Sequence, residues 1–265
     1  DEEIARVIEA DAIELERGRA SILRGVTLRA EAGEVLGIVG PNGAGKSSLL
    51  ALLAGDAAPT RGIVRLAGQA LAAYDEASLA RERAVMSQST SVAFAFTVLE
   101  IVLMGRSPFG TRETPRDLEI AREALAAVSL SAFEARVYPT LSGGEQQRVE
   151  LARVLAQIEL GRAGKALLLD EPTSSLDPAH QHAAMRAARA VASNGLAVVV
   201  VLHDLNLAAQ ACDRVAVLAS GELARIGPPG EALDRELLER VFEVEAHVGR
   251  APWDAEKPQI SFRPR

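Results

Sequence analysis

The octapeptide Gly40-Pro41-Asn42-Gly43-Ala44-Gly45-Lys46-Ser47 constrains this chain more than any other segment. It fits the G-x-x-x-x-G-K-[ST] pattern, follows the apolar run Val35–Val39, and opens a stretch of helix formers, Ser47–Ala54, that ends at Gly55. Glycines let the main chain curl so that successive amides converge on phosphate oxygens. The helix that follows turns its positive end toward the same anion. Lys46 can then reach β- and γ-phosphates, and the Ser47 hydroxyl can coordinate magnesium. With Ser48, residues 40–48 are the candidate phosphate cradle. Only Lys46, Lys165 and Lys257 among the 29 basic residues are lysines, so a compact ammonium in this turn runs against the bias of the chain toward arginine.

A second signal has matching chemistry. Ala166–Leu169 is a short apolar run that ends in Asp170 and Glu171. On a strand, adjacent side chains leave by opposite faces. Asp170 is therefore expected to face a magnesium shell and Glu171 to point elsewhere, toward an attacking water.

Around these two stations the chain alternates in type. Strands are expected at Ile8–Leu15, Ile22–Leu28, Val35–Val39 and Gly62–Leu66, giving a strand-rich start. A helical block follows, opened by Thr97-x-x-Glu100, Thr114-Pro115 and Ser142-x-x-Glu145, all with helix-start chemistry. Ala166–Leu169 and Ala197–Leu202, separated by a helical pattern over 178–193, predict a parallel sheet with crossover helices. A hairpin through Ser220-Gly221, a small helix near Asp234–Val241, and a proline-bearing surface tail beyond Glu243 complete the expectation. The first residue, Asp1, suggests that the natural start lies upstream.

Composition removes several classes. The 265 residues allow one large domain or two small ones. Leu196–Leu202, the longest strongly apolar stretch, is far short of the roughly 20 residues a membrane span needs. A formal charge of −7 gives no general attraction for nucleic acid, and none is expected as a partner. No basic segment followed by an apolar run opens the sequence, which argues against secretion, and the single Cys212 fits a reducing compartment. His180 and His182 are two apart and face apart on a helix, so no metal site is expected there, and His247 stands alone in the tail.

The third signal is Leu141-Ser142-Gly143-Gly144-Glu145-Gln146-Gln147-Arg148. Ser142 is placed to cap a helix, and the two glycines leave its first amides clear, making a second anion site. Here the sequence resembles the nucleotide-binding subunits of ABC transporters, whose signature is LSGGQ or LSGGE. The resemblance covers nearly the whole chain. It implies an α/β fold, the P-loop NTPase fold of ABC ATPases, with an N-terminal antiparallel β subdomain and an inserted helical subdomain. The expected division is a core plus β subdomain over about 1–85 and 161–242, a helical signature subdomain over about 86–160, and a tail over about 243–265.

The resemblance also implies the working parts. Two copies of the chain would enclose ATP and Mg2+, the phosphate loop of one facing Ser142, Gly143 and Gly144 of the other. Glu171 matches the water-orienting carboxylate, and Gln88 the glutamine near magnesium and the attacking water. His203 matches the switch histidine at the γ-phosphate, and Asp177 the loop that crosses the dimer interface. Ser47, Gln88 and Asp170 would surround the metal. Many relatives stack adenine on an aromatic residue before the phosphate loop; Leu15-Glu16-Arg17-Gly18-Arg19 has none. The guanidinium of Arg17 or Arg19 is one substitute and a loosely held base the other.

The segment from Phe94 to Phe109, with Phe96 and Met104, corresponds to the family's docking region for a membrane subunit. The runs Thr97–Arg106 and Val201–Ala209 resemble those of importers for iron chelates and cobalamin, and Ser174–His182 with Pro258-Gln259-Ile260 resemble those of hemin importers. The implied machine has two such ATPases, two copies of a transmembrane permease and a periplasmic substrate-binding protein, with the ATPase held at the cytoplasmic face of the bacterial inner membrane. Ferric siderophore and cobalamin are the alternative cargoes. A soluble ABC-type ATPase of DNA repair or translation is the alternative class, set against the compact middle block.

Overall fold

The computed structural model describes residues 6–87, 95–158, 164–252 and 254–263. Gln88 and Phe94 lie outside the described residues. β1 (Arg6–Arg17) and β2 (Ala20–Glu31) form a long antiparallel hairpin that buries Val7, Ile8, Ala10, Ile13 and Leu15 from the first strand. Ala12 adopts φ 44 where the register slips between Ala10 and Ile13, the signature of a bulge. Gly62 lies against that bulge, where a Cβ would meet the Ala12 carbonyl oxygen at 2.4 Å.

β3 (Val35–Val39) leads into α1 (Lys46–Ala54), then β4 (Arg61–Leu66), the short β5 (Gln69–Ala70), α2 (Glu76–Glu82) and β6 (Arg83–Met86). The helical block contains α3 (Val98–Met104), α4 (Pro115–Ala127) and α5 (Gly143–Ile158). The alternating half follows as β7 (Ala166–Asp170), α6 (Pro178–Ser193), β8 (Ala197–Val201), α7 (Leu205–Ala211), β9 (Arg214–Ala219) and β10 (Glu222–Gly227). α8 (Pro229–Ala232), α9 (Arg235–Phe242), β11 (Glu245–Ala251) and β12 (Asp254–Arg263) close the chain.

Among the described residues, one sheet has the order β2-β1-β4-β5 and the central one β10-β9-β3-β8-β7-β6. In the central sheet β6, β7, β8, β3 and β9 are parallel and β10 returns antiparallel. β3, β7 and β8 are buried along their whole length, as expected of parallel strands covered on both faces. Alternate residues divide between two cores. Leu36, Ile38, Leu168 and Val199 pack with α1 and the N-terminal sheet, whereas Val35, Val39, Leu169 and Val200 pack with the helices of the opposite face.

The helix starts follow from their chemistry. Thr97 and Glu100 exchange hydrogen bonds in a capping box at α3, and Thr114 and Asp117 do the same at α4. Asp117 also accepts from Arg106 Nε at 2.8 Å, in an ion pair whose side chains are only 9% and 12% exposed. Arg106 Nη1 donates to the Ala156 carbonyl at 2.8 Å, so this guanidinium joins α3, α4 and α5. Asp117→Ala is expected to destabilise the protein by about 3 kcal/mol, because it leaves a buried cation unpaired. The midpoint of denaturant unfolding measures it.

The segment beyond Glu243 differs from expectation. It is a hairpin, β11 pairing with β12, and Ala246 and Ile260 belong to the main core. Its prolines suggest a tail laid along the surface, but in a two-stranded sheet an outer strand edge carries no ladder and tolerates Pro258.

Candidate active site

Gly40 leaves β3 at φ 154, and a Cβ there would lie 2.1 Å from the Leu218 carbonyl oxygen, so only glycine passes. Gly43 and Gly45 take left-handed conformations at φ 77 and 99. The loop is pinned from outside by Gly221 at the β9–β10 turn, whose N–H donates to the Ala44 carbonyl at 3.1 Å. Gly45 is the N-cap of α1 and no side chain caps that helix, which leaves its first amides available to an anion.

Lys46 is buried, and its ammonium donates to the carbonyls of Gly40 at 2.9 Å and Pro41 at 3.0 Å. Burial pushes its pKa down, while the nearby carboxylates of Glu171 and Asp170 pull it back up. Ser47 Oγ donates to Asp170 Oδ1 at 3.4 Å. Burial pushes the Asp170 carboxyl up, against the pull of that hydroxyl.

Strand alternation alone does not account for Glu171. It has φ 52, a left-handed conformation that costs a non-glycine residue on the order of 1 kcal/mol. The turn brings its carboxylate to His203 Nε2 at 2.5 Å. Gln147 of α5 supports the turn, its side-chain amide donating to the Glu171 carbonyl at 2.8 Å and to Ser174 Oγ at 3.3 Å. The Gln147 side-chain oxygen accepts from the Ser175 N–H at 3.1 Å.

Ser142 opens α5 in a capping box. Its N–H and Oγ donate to Glu145 Oε2 at 2.7 and 2.8 Å, and the Glu145 N–H returns to Ser142 Oγ at 3.4 Å. The Ser142 backbone and hydroxyl hold the Glu145 carboxyl below its usual range. Nothing lies within 4 Å of a Cβ built on Gly143, whereas one on Gly144 would press on the Ser175 carbonyl oxygen at 3.1 Å. The tip of α5 is therefore clear on one side and seated on the loop after Glu171 on the other. Asp177 caps α6, accepting from the His180 N–H at 3.0 Å and pairing with the His180 ring at 2.8 Å.

Ile22, Asn42, Gly43, Gly45, Lys46, Ser47, Ser48, Glu171 and His203 line one cleft of about 560 Å³. Ser142, Gly143, Gly144 and Asp177 are not among the residues that line it. Arg17 ends β1 on the exposed surface and is not in the lining either. Ile22, Gly221 and Gln147 are the residues the sequence reading missed. Gln147 stands inside the quoted signature run, and Ile22 has no sequence signal beyond lying in a strand before the loop.

The sequence matches the ABC transporter family over residues 23–174. The chain belongs to the ABC transporter family. It is similar to the hemin import ATP-binding protein HmuV of Gloeobacter violaceus, with 53% identity over 234 residues, 87% of this chain and 85% of that protein. Its fold is similar to an inward-facing metal-chelate type ABC transporter, with a TM-score of 0.83 and 26% identity over 98% of each chain. A dimeric bacterial ABC transporter cassette matches with a TM-score of 0.73 and 28% identity, covering 84% of this chain and 98% of that one. No helix among the described residues of this ABC transporter chain is long and apolar enough to cross a membrane.

Proposed function

We infer that this chain is the ATP-hydrolysing motor subunit of a hemin importer. The observation that carries the chemistry is one cleft that gathers Lys46, Ser47, Glu171 and His203. Similarity to hemin import ATP-binding proteins supports the cargo.

The loop amides from Gly43 to Ser48 and the Lys46 ammonium bind the β- and γ-phosphates. Ser47 Oγ and Asp170 Oδ1 are adjacent hard oxygens, and the burial of Asp170 favours a cation beside it, so the pair fits Mg2+. Ser47 and Asp170 would hold a magnesium ion, which would supply neutralisation of phosphate charge. Gln88, outside the described residues, is a proposed further ligand on the family resemblance alone. Glu171 orients the attacking water and takes its proton; His203 holds the Glu171 carboxylate in register and faces the γ-phosphate. Ile22 lines the cleft and offers an apolar wall for the base and ribose, and the guanidinium of Arg17 or Arg19 is the proposed substitute for an aromatic platform.

The missing half of the site is a second copy of the chain. Ser142, Gly143 and Gly144 of one protomer close over the phosphates held by the other, with Asp177 at the seam. This agrees with the dimeric cassette of similar fold. The cassette comprises a core over about 1–85 and 161–242 and a helical subdomain over about 86–160. By family resemblance the segment 94–109, which includes the exposed Met104, is the proposed docking region for the permease. The chain would sit on the cytoplasmic face of the inner membrane through two permease copies, served by a periplasmic binding protein.

Vesicles that contain the permease and this chain, loaded with ATP, test the cargo directly. Hemin should accumulate at the expense of ATP, and ferric siderophore and cobalamin should not. Accumulation of either of those in place of hemin overturns the cargo assignment and leaves the motor chemistry standing.

A further inference from the structure

The C-terminal hairpin grips the helix that follows His203. α7 has seven residues, too few to hold a position without tertiary support. Its N-cap, Asp204, is the residue after His203, and Asp204 Oδ1 accepts from the N–H groups of Asn206 and Leu207 at 2.8 and 3.0 Å. Asn206, in the first turn, reaches across to β12. Its Oδ1 accepts from the Ile260 N–H at 2.7 Å and its Nδ2 donates to the Ile260 carbonyl at 3.0 Å. One primary amide thus satisfies both main-chain groups of Ile260, as a neighbouring strand would. The Ile260 side chain beneath is buried in the main core.

The other end of α7 is held by the same strand. Lys257 Nζ donates to the carbonyl of Cys212, the C-cap of α7, at 3.4 Å, a cation at the negative end of the helix. The connected path runs from β12 through Asn206 and the Asp204 cap to His203, and on to Glu171.

We propose that the β11–β12 hairpin positions the His203 switch, with Asn206 as the positioning residue that transmits its grip. The proposal rests on the role assigned to His203 above. Asparagine is required because it is both donor and acceptor; aspartate at this position keeps the bond from the Ile260 N–H and sets a carboxylate against the Ile260 carbonyl.

The test is steady-state ATP hydrolysis by the full chain in a double-mutant cycle of Asn206→Ala and His203→Ala, with Asn206→Asp as a second, milder variant. Asn206→Ala should lower kcat about tenfold, as expected when a catalytic group is displaced by a fraction of an ångström. The KM for ATP should move by less than about twofold, because the phosphate cradle is untouched. Asn206→Asp should lie between. In the His203→Ala background, Asn206→Ala should have no further effect, since the loss it causes passes through the missing ring. Losses that multiply in the double variant, or an unchanged kcat in both Asn206 variants, overturn the proposal while leaving the role of His203 intact. Full activity of His203→Ala alone overturns that role instead, and this inference with it.

Discussion

Glu171→Gln keeps ATP binding and loses hydrolysis by a factor of hundreds. The amide is nearly isosteric, and the left-handed turn that carries it belongs to the backbone at φ 52. What disappears is the group that orients water and accepts its proton. Loss of a positioned catalytic group of this kind raises a barrier by about 3–4 kcal/mol. The cradle itself, built from glycine amides, Lys46 and Ser47, is unchanged, so the dissociation constant for ATP should hold. Phosphate release and nucleotide titration on the same preparation check the two halves of the statement. Hydrolysis at a near-normal rate would remove Glu171 from its role and leave its contact with His203 at 2.5 Å as packing chemistry.

Ser142→Arg should also abolish turnover, for a different reason. Ser142 is exposed and is not among the residues that line the cleft of its own chain, so an arginine there can extend into solvent in a single protomer. In a closed pair the same tip faces the triphosphate on the other copy, where a long side chain holds the surfaces apart. The expected outcome is a loss of at least about a hundredfold in hydrolysis by the assembled transporter. The ATP affinity of the open chain should stay within error of the parent. Ser142→Ala separates sterics from capping: it removes the bond to Glu145 without adding bulk and should lose far less activity.

Much of the architecture was legible because its residues carry local chemistry. Val35–Val39 and residues 178–193 match their strand and helix, the first by its branched apolar run before glycine, the second by its helical pattern between two apolar runs. Thr97, Thr114 and Ser142 mark helix starts because a hydroxyl with an acid three positions on satisfies orphan amides. The bulge at Ala12 was hidden, since it depends on Gly62 from a strand far along the chain. The terminal hairpin was hidden too. Its stability comes from Ile260 and Ala246 entering a distant core and from Asn206, whereas its local signal was proline. In the site, Lys46 and the carboxylates of Asp170 and Glu171 announced themselves by type and spacing. The left-handed turn at Glu171 and its support by Gln147 did not, because both arise from tertiary contact with α5.

The central claim is that two copies of this chain clasp a triphosphate between the phosphate loop of one and the α5 tip of the other. Light scattering on the Glu171→Gln chain, in which bound ATP persists, tests it most directly. ATP with magnesium should double the mass in solution, and adding Ser142→Arg to the same chain should return it to the monomer with nucleotide still bound. A chain that saturates with ATP yet stays monomeric, or that pairs equally well with arginine at the tip, contradicts it.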